Sequence, residues 1–325
     1  MFLSAQLSSA YRTEVTRAGG LTSLEPSRGA QSWMNLGLRP PILFPAAECW
    51  SEKPPSLDVY LIDLLDQFSK KTTKVYRRGS TYRPFETPPI HIVVQQLKQP
   101  DITSPLYAIN MVAESSKIRI PERLYGQNQV YKENDIITTT NITPKFSASD
   151  LHVGKHGVTL LYGGCVKLWA LYPLSSHNFQ QISKAYQSNN VFVDLQDKLE
   201  GGEFCIQTEE QAIYLPPGCI HGTITLQGGL TPGIEFTTPE CLDATVLMWD
   251  LNSTVLEVSK DDCLPFLEAI SISLRSSLAS RREKAIAVLC KKYKKVARLK
   301  PTIWTKFNKV LPVSCTNCGH SWRRH

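Results

Sequence analysis

At 325 residues, 42% of them hydrophobic and 20% charged, the chain is long enough to bury a core and too apolar for a disordered polymer. Its net charge of +7 is unevenly placed: residues 275–325 carry 14 Lys/Arg against one acid, Glu283, while the rest holds 22 basic and 28 acidic side chains. No run approaches the ~20 apolar residues that cross a bilayer, and the nine cysteines stand mostly singly in apolar stretches (Cys165, Cys205, Cys219, Cys290), which reads as reduced thiols of a nuclear or cytoplasmic protein.

Residues 1–55 are rich in Ser, Gly and Pro without a sustained period, and are expected to be a disordered N-terminal segment. Residues 56–140 read as a helix and mixed flank. In LDVYLIDLLDQFSKK, apolar residues at 57, 60, 61, 64, 65 and 68 predict a helix. IHIVVQQL reads as a strand, with His91 a core residue among apolar neighbours, and SPLYAINMVAESS as a strand or short helix.

From 141 to 240 the texture changes to short runs rich in β-branched and aromatic residues: VTLLYGG, CVKLWALYP, NVFVDL, GEFCIQT, QAIYLPPG, GTITLQGG and GIEFTTP. GG, PPG and TP punctuate them. Strands at this spacing predict an all-β sandwich or barrel. Residues 241–325 return to helical spacing and predict three or four helices, ending in a CxxC.

Three polar residues fall in order within the β region. His152 opens a strand in SDLHVG, Lys167 follows in GGCVKLWALYP, and His221 closes the series in IYLPPGCIH. Their order and surroundings resemble the Jumonji C (JmjC) family of Fe(II) and 2-oxoglutarate-dependent oxygenases. Gly164 to Pro173 is similar to that family's G-x-x-K-x-W-x-L-x-P stretch, and Ile213 to His221 to its P-x-G-x-x-H stretch; the likeness covers about 90 residues.

The resemblance implies a mainly β fold with flanking helices: a double-stranded β-helix (jelly-roll, cupin-like) core and a C-terminal helical region. It implies iron held by His152 and His221, and 2-oxoglutarate held by Lys167 and Ser149. It implies hydroxylation or lysine demethylation of a protein substrate. One position departs. Gly154 stands where the family's His-x-Asp/Glu motif places a carboxylate, and glycine has no ligand atom. Three explanations follow: loss of the metal site, substitution by Asp150 or His156, or a vacancy for halide like that in some 2-oxoglutarate-dependent halogenases. The alternative to an oxygenase is a JmjC-like pseudoenzyme, a scaffold that binds an acidic or chromatin-associated partner.

The basic region bears on that alternative. Residues 275–309 place cations such as Arg281, Arg282, Lys284 and Lys291 around an apolar stripe, which is either a solvated face or a contact for nucleic acid or an acidic chromatin surface. The chain's last residues place Cys315, Cys318 and His320 at the spacing of half a zinc knuckle, so zinc is a further candidate there.

Overall fold

A computed structural model of the chain describes residues 28–35, 39–68, 75–77, 90–101, 105–112, 117–121, 124, 137–154, 156–185, 191–255 and 260–296. The chain divides into two compact units, one made of Met1–Pro121 with Ile137–Glu235, the other of Glu122–Ile136 with Phe236–His325.

The first unit is mainly antiparallel β-sheet. Its elements are α1 (Arg28–Asn35), β1 (Ile42–Pro45), α2 (Leu57–Phe68), β2 (Val75–Arg77), α3 (Ile90–Lys98), β3 (Leu106–Val112), β4 (Ile137–Thr143), β5 (Ala148–Val153), β6 (Gly157–Leu160), β7 (Val166–Tyr172), α4 (Ser176–Ala185), α5 (Val191–Leu195), β8 (Glu203–Gln207), β9 (Gln211–Leu215), β10 (Ile220–Gln227) and β11 (Gly229–Glu235). One sheet has the order β1-β9-β6-β11-β4-β3-β2 and the other β5-β10-β7-β8. From β4 to β11 the chain changes sheet at every connection except β7 to β8. Trp169, Leu171 and Cys205 of the smaller sheet and Ile213 and Leu215 of the larger one share a single buried cluster. Residues that alternate along each strand therefore point either into that shared interior or away from it.

On the larger sheet, α2 buries Tyr60, Leu64 and Phe68 in a cluster with Ile90, Val93, Ala108, Met111, Ile142 and Leu230. The helical stripe predicted for residues 57–68 is the face that packs. The Tyr60 hydroxyl meets Thr140 Oγ1 at 2.7 Å, so the helix brings this buried polar group to a partner.

Three segments differ from the sequence expectation. Within residues 1–55, α1 and β1 are ordered elements, and Trp33 and Phe44 are each 1% exposed. IHIVVQQLK is a helix, in which Ile90 and Val93 are buried and His91 is exposed, so His91 is no core residue. In NVFVDL, Val191–Leu195 is a helix rather than a strand. Its β-branched residues favour extension, but the Asp150 carboxylate accepts hydrogen bonds from Val191 N and Phe192 N, both at 2.7 Å, and fixes the first turn as a helix.

The second unit contains α6 (Cys241–Val255), α7 (Lys260–Leu274) and α8 (Ala279–Val296). Leu242, Trp249, Phe266, Leu267, Ile270, Ala285 and Leu289 form its core, with the Trp249 and Phe266 rings 5.0 Å apart.

Candidate functional site

The site is built where β5 and β10 pair. His152 lies directly opposite His221 in the ladder, and the two imidazole rings are 4.3 Å apart between centroids, tilted by 57°. Each ring is tied down through the same atom. His152 Nδ1 donates to the Asp150 carbonyl at 2.8 Å, and His221 Nδ1 donates to the Cys219 carbonyl at 3.1 Å. A carbonyl only accepts, so each Nδ1 carries the hydrogen and each Nε2 keeps a lone pair. Burial lowers both pKa values, and with the neighbouring His152 adding to the effect that of His221 falls to about 3. Both rings are therefore neutral near pH 7 and in the ligating form. The turn that delivers His221 depends on Gly218, whose φ of 74° is a conformation glycine adopts without strain.

A polar lane runs from the histidine pair along the smaller sheet. On β10, His221, Thr223 and Thr225 face Leu171, Trp169 and Lys167 of β7. Ser149 Oγ meets Thr223 Oγ1 at 2.9 Å, and Ser147 donates to Thr225 Oγ1 at 3.0 Å. Lys167 is 4% exposed, and among the described residues no carboxylate pairs with it. Burial lowers its pKa, the expected response of an ammonium taken out of water without a counter-ion. Four residues separate Lys167 from Leu171, the rung of His221, which places the lysine backbone about 13 Å along the strand from the histidines.

Trp169 stands between them, its indole ring 5.7 Å from that of His221. Its Nε1 donates to Gln207 Oε1 at 2.9 Å, and Gln207 in turn donates to the carbonyls of Thr159 and Gln211. Gln207 is fully buried and fixes the tryptophan's rotation. Sequence reasoning passed over it, because glutamine at the end of a strand carries no pattern.

The proposed substitutes for a third ligand are engaged elsewhere. Asp150 takes three backbone N–H groups, those of Leu151, Val191 and Phe192. His156 is 5% exposed and bonds the Tyr214 hydroxyl through Nε2 at 3.0 Å. Position 154 itself is closed. A Cβ built on Gly154 falls 2.2 Å from His221 Cε1, 2.6 Å from its Nδ1 and 3.2 Å from the Cys219 carbonyl oxygen. The His221 ring thus fills the space into which a carboxylate at 154 would leave the backbone. Among the described residues no group of three or more His, Cys, Asp or Glu could hold a metal ion. Two neutral imidazoles do not fit the three-ligand iron centre that the resemblance implies.

Cys315, Cys318 and His320 fall outside the described residues, as do residues 297–309 of the basic segment. On α8, Arg281 Nη2 approaches Glu240 at 3.8 Å and Lys284 Nζ approaches Asp243 at 2.6 Å. Arg282 donates to the carbonyls of Ser276 and Ser277. These cations are held within their own helical unit, whereas Lys291 is exposed. No described helix is long and apolar enough to cross a membrane. No family model matches the chain, and no curated protein matches it.

Proposed function

We propose that the chain is a JmjC-like protein with a double-stranded β-helix core that binds a small carboxylate anion at Lys167 and does not turn over substrate through iron. The strand order supports the fold reading: along β4 to β11 the chain passes between two antiparallel sheets at every connection but β7 to β8, with His152 and His221 opposite each other on the smaller one. The observation that carries the functional reading is the overlap at Gly154. The third ligand is missing, and the His221 ring stands in its place.

Lys167 supports the anion half of the proposal. A buried ammonium without a carboxylate partner is stabilised by any anion that reaches it, and the hydroxyls of Ser147, Ser149, Thr223 and Thr225 lie on the neighbouring rungs. A 2-oxo dicarboxylate such as 2-oxoglutarate has the charge and the acceptor oxygens for this lane. Iron, if bound, would activate oxygen; the residues present do not provide its third protein ligand, so no step is assigned to it.

Two titrations test the reading. Calorimetry with 2-oxoglutarate in the presence of chelator is expected to give saturable binding that Lys167→Ala abolishes while the unfolding transition is retained. An anaerobic titration with Fe(II) and 2-oxoglutarate is expected to give no metal-to-ligand charge-transfer band. A saturable band that is lost on changing His152 or His221 would overturn the non-catalytic half, and metal-free affinity unchanged in Lys167→Ala would overturn the anion half.

A further inference from the structure

Within the first unit, the N-terminal elements pack in the manner of a docked peptide. Strand β1 adds to the edge of the larger sheet, pairing residue by residue with β9 from Ile42 opposite Tyr214 to Pro45 opposite Gln211. This is strand addition, the way extended peptides dock onto sheet edges. Arg39 places its guanidinium 5.7 Å from the centre of the Tyr214 ring. Ahead of these contacts, among the described side chains of α1 Trp33 is deeply buried while Gln31, Met34 and Asn35 are exposed.

Trp33 sits at 1% exposure in the cluster formed by Trp169, Leu171, Cys205, Ile213, Leu215 and Cys219. It thus enters the interior shared by the two sheets, beside the tryptophan that touches His221. A large aromatic anchor in a pocket with a thin surround is the pattern of a binding hot spot. Yet the anchor is imperfect, because among the described residues the buried Trp33 indole N–H has no hydrogen-bond partner, and that loss opposes the gain from burial. An eight-residue helix is also too short to persist without such an anchor.

We infer that the interior between the sheets has an aromatic-accepting slot, that α1 with Trp33 is its resident occupant in cis, and that withdrawal of α1 opens a route to Trp169 and His221. The slot fits a short helix or peptide presenting one large aromatic side chain followed by an extended segment that can pair with β9. The inference does not depend on the anion reading, since the state of the slot can be read from cysteines that line it.

Cys205 and Cys219 belong to the Trp33 cluster, whereas Cys165, equally buried, lies outside it. In the unmodified full-length chain, an aromatic disulfide reagent is expected to label Cys205 and Cys219 through a local opening whose rate hardly changes at low urea. Cys165 is expected to react only as fast as global unfolding permits. Trp33→Ala should accelerate the first two by at least an order of magnitude and leave Cys165 unchanged, and a peptide of residues 28–35 added in trans should restore protection. If all three thiols of the unmodified chain follow global unfolding together, Trp33 is a core residue and the inference fails, whether or not Trp33→Ala folds. A concentration-dependent dimer that retains protection would also overturn the cis assignment, since the occupant would then come from a second copy.

Discussion

Gly154→Asp, the substitution that would complete the sequence motif, is expected to destabilise the protein rather than create an iron site. The new Cβ would start 2.2 Å from His221 Cε1, and that ring cannot simply turn aside. It is hydrogen-bonded to the Cys219 carbonyl, lies against His152 and has Trp169 on another side. Overpacking of this kind costs about 1–3 kcal/mol, and a buried carboxylate without a designed partner raises the total above about 3 kcal/mol. Gly154→Ala isolates the steric part and is expected to fall within the first range by urea denaturation. Combining it with His221→Ala should return most of that loss, because the second change removes the atoms the first collides with. Strictly additive effects would mean that the His221 ring is not what closes the position. A well-folded Gly154→Asp protein that binds Fe(II) would refute the closed-site reading outright.

The second large effect is acid lability above the usual carboxylate range. His156 and His221 are both buried with pKa values lowered to about 3, chiefly by desolvation, with Arg39 adding to the effect at His156. Burial lowers the pKa of His152 as well. In the unfolded chain each histidine takes up a proton near its ordinary value of about 6.5, whereas the folded chain does not. For His156 and His221 that contribution to stability is therefore complete above about pH 6.5 and is lost as pH falls towards 3, at about 1.4 kcal/mol per pH unit for each, and His152 acts in the same direction. Asp150 works the other way: burial raises its carboxyl pKa despite three N–H donors, so the folded state gains a proton there more readily. One carboxyl against the large shifts of His156 and His221 leaves a net loss, and with total stabilities of about 5–15 kcal/mol the protein is expected to unfold between roughly pH 5 and 4. Unfolding free energies measured at pH 7, 6 and 5 should fall steeply, and His156→Phe should remove about one histidine's share of that slope. A flat profile, or a slope indifferent to His156, would count against the buried neutral state.

The candidate site was readable in the sequence where local pattern and ladder geometry agree. The alternation in VKLWALY places Lys167, Trp169 and Leu171 on one face, and the opposing rungs of β10 bring His221 into their row. His152 and His221, 69 residues apart, become neighbours because His152 lies at the end of β5, not at the start that the sequence suggested, and His221 at the start of β10, and an antiparallel pair sets the end of one strand beside the start of the other. What could not be read is the space between them. A missing carboxylate registers in sequence as a lost ligand, while the His221 ring that fills its place is a fact of packing.

The flanking elements were readable unevenly. In IHIVVQQLK the β-branched residues favoured a strand, yet Ile90 and Val93 are spaced as one helical face and both are buried. Around α1 and β1 the Ser, Gly and Pro content masked two short elements, although Trp33 and the apolar run ILFP were visible signals. The helix at Val191–Leu195 had no local signal, because its cap comes from β5.

That cap also sets an order of events. Val191 N and the Asp150 carboxylate are 41 residues apart in the chain, and a helix of five residues has too few internal hydrogen bonds to offset the cost of its own nucleation. Until β5 has found its place, nothing selects a helix from a sequence whose valines and phenylalanine prefer extension. Formation of Val191–Leu195 is thus expected to follow the placement of β5, and substitutions in this helix are expected to change the unfolding rate more than the folding rate.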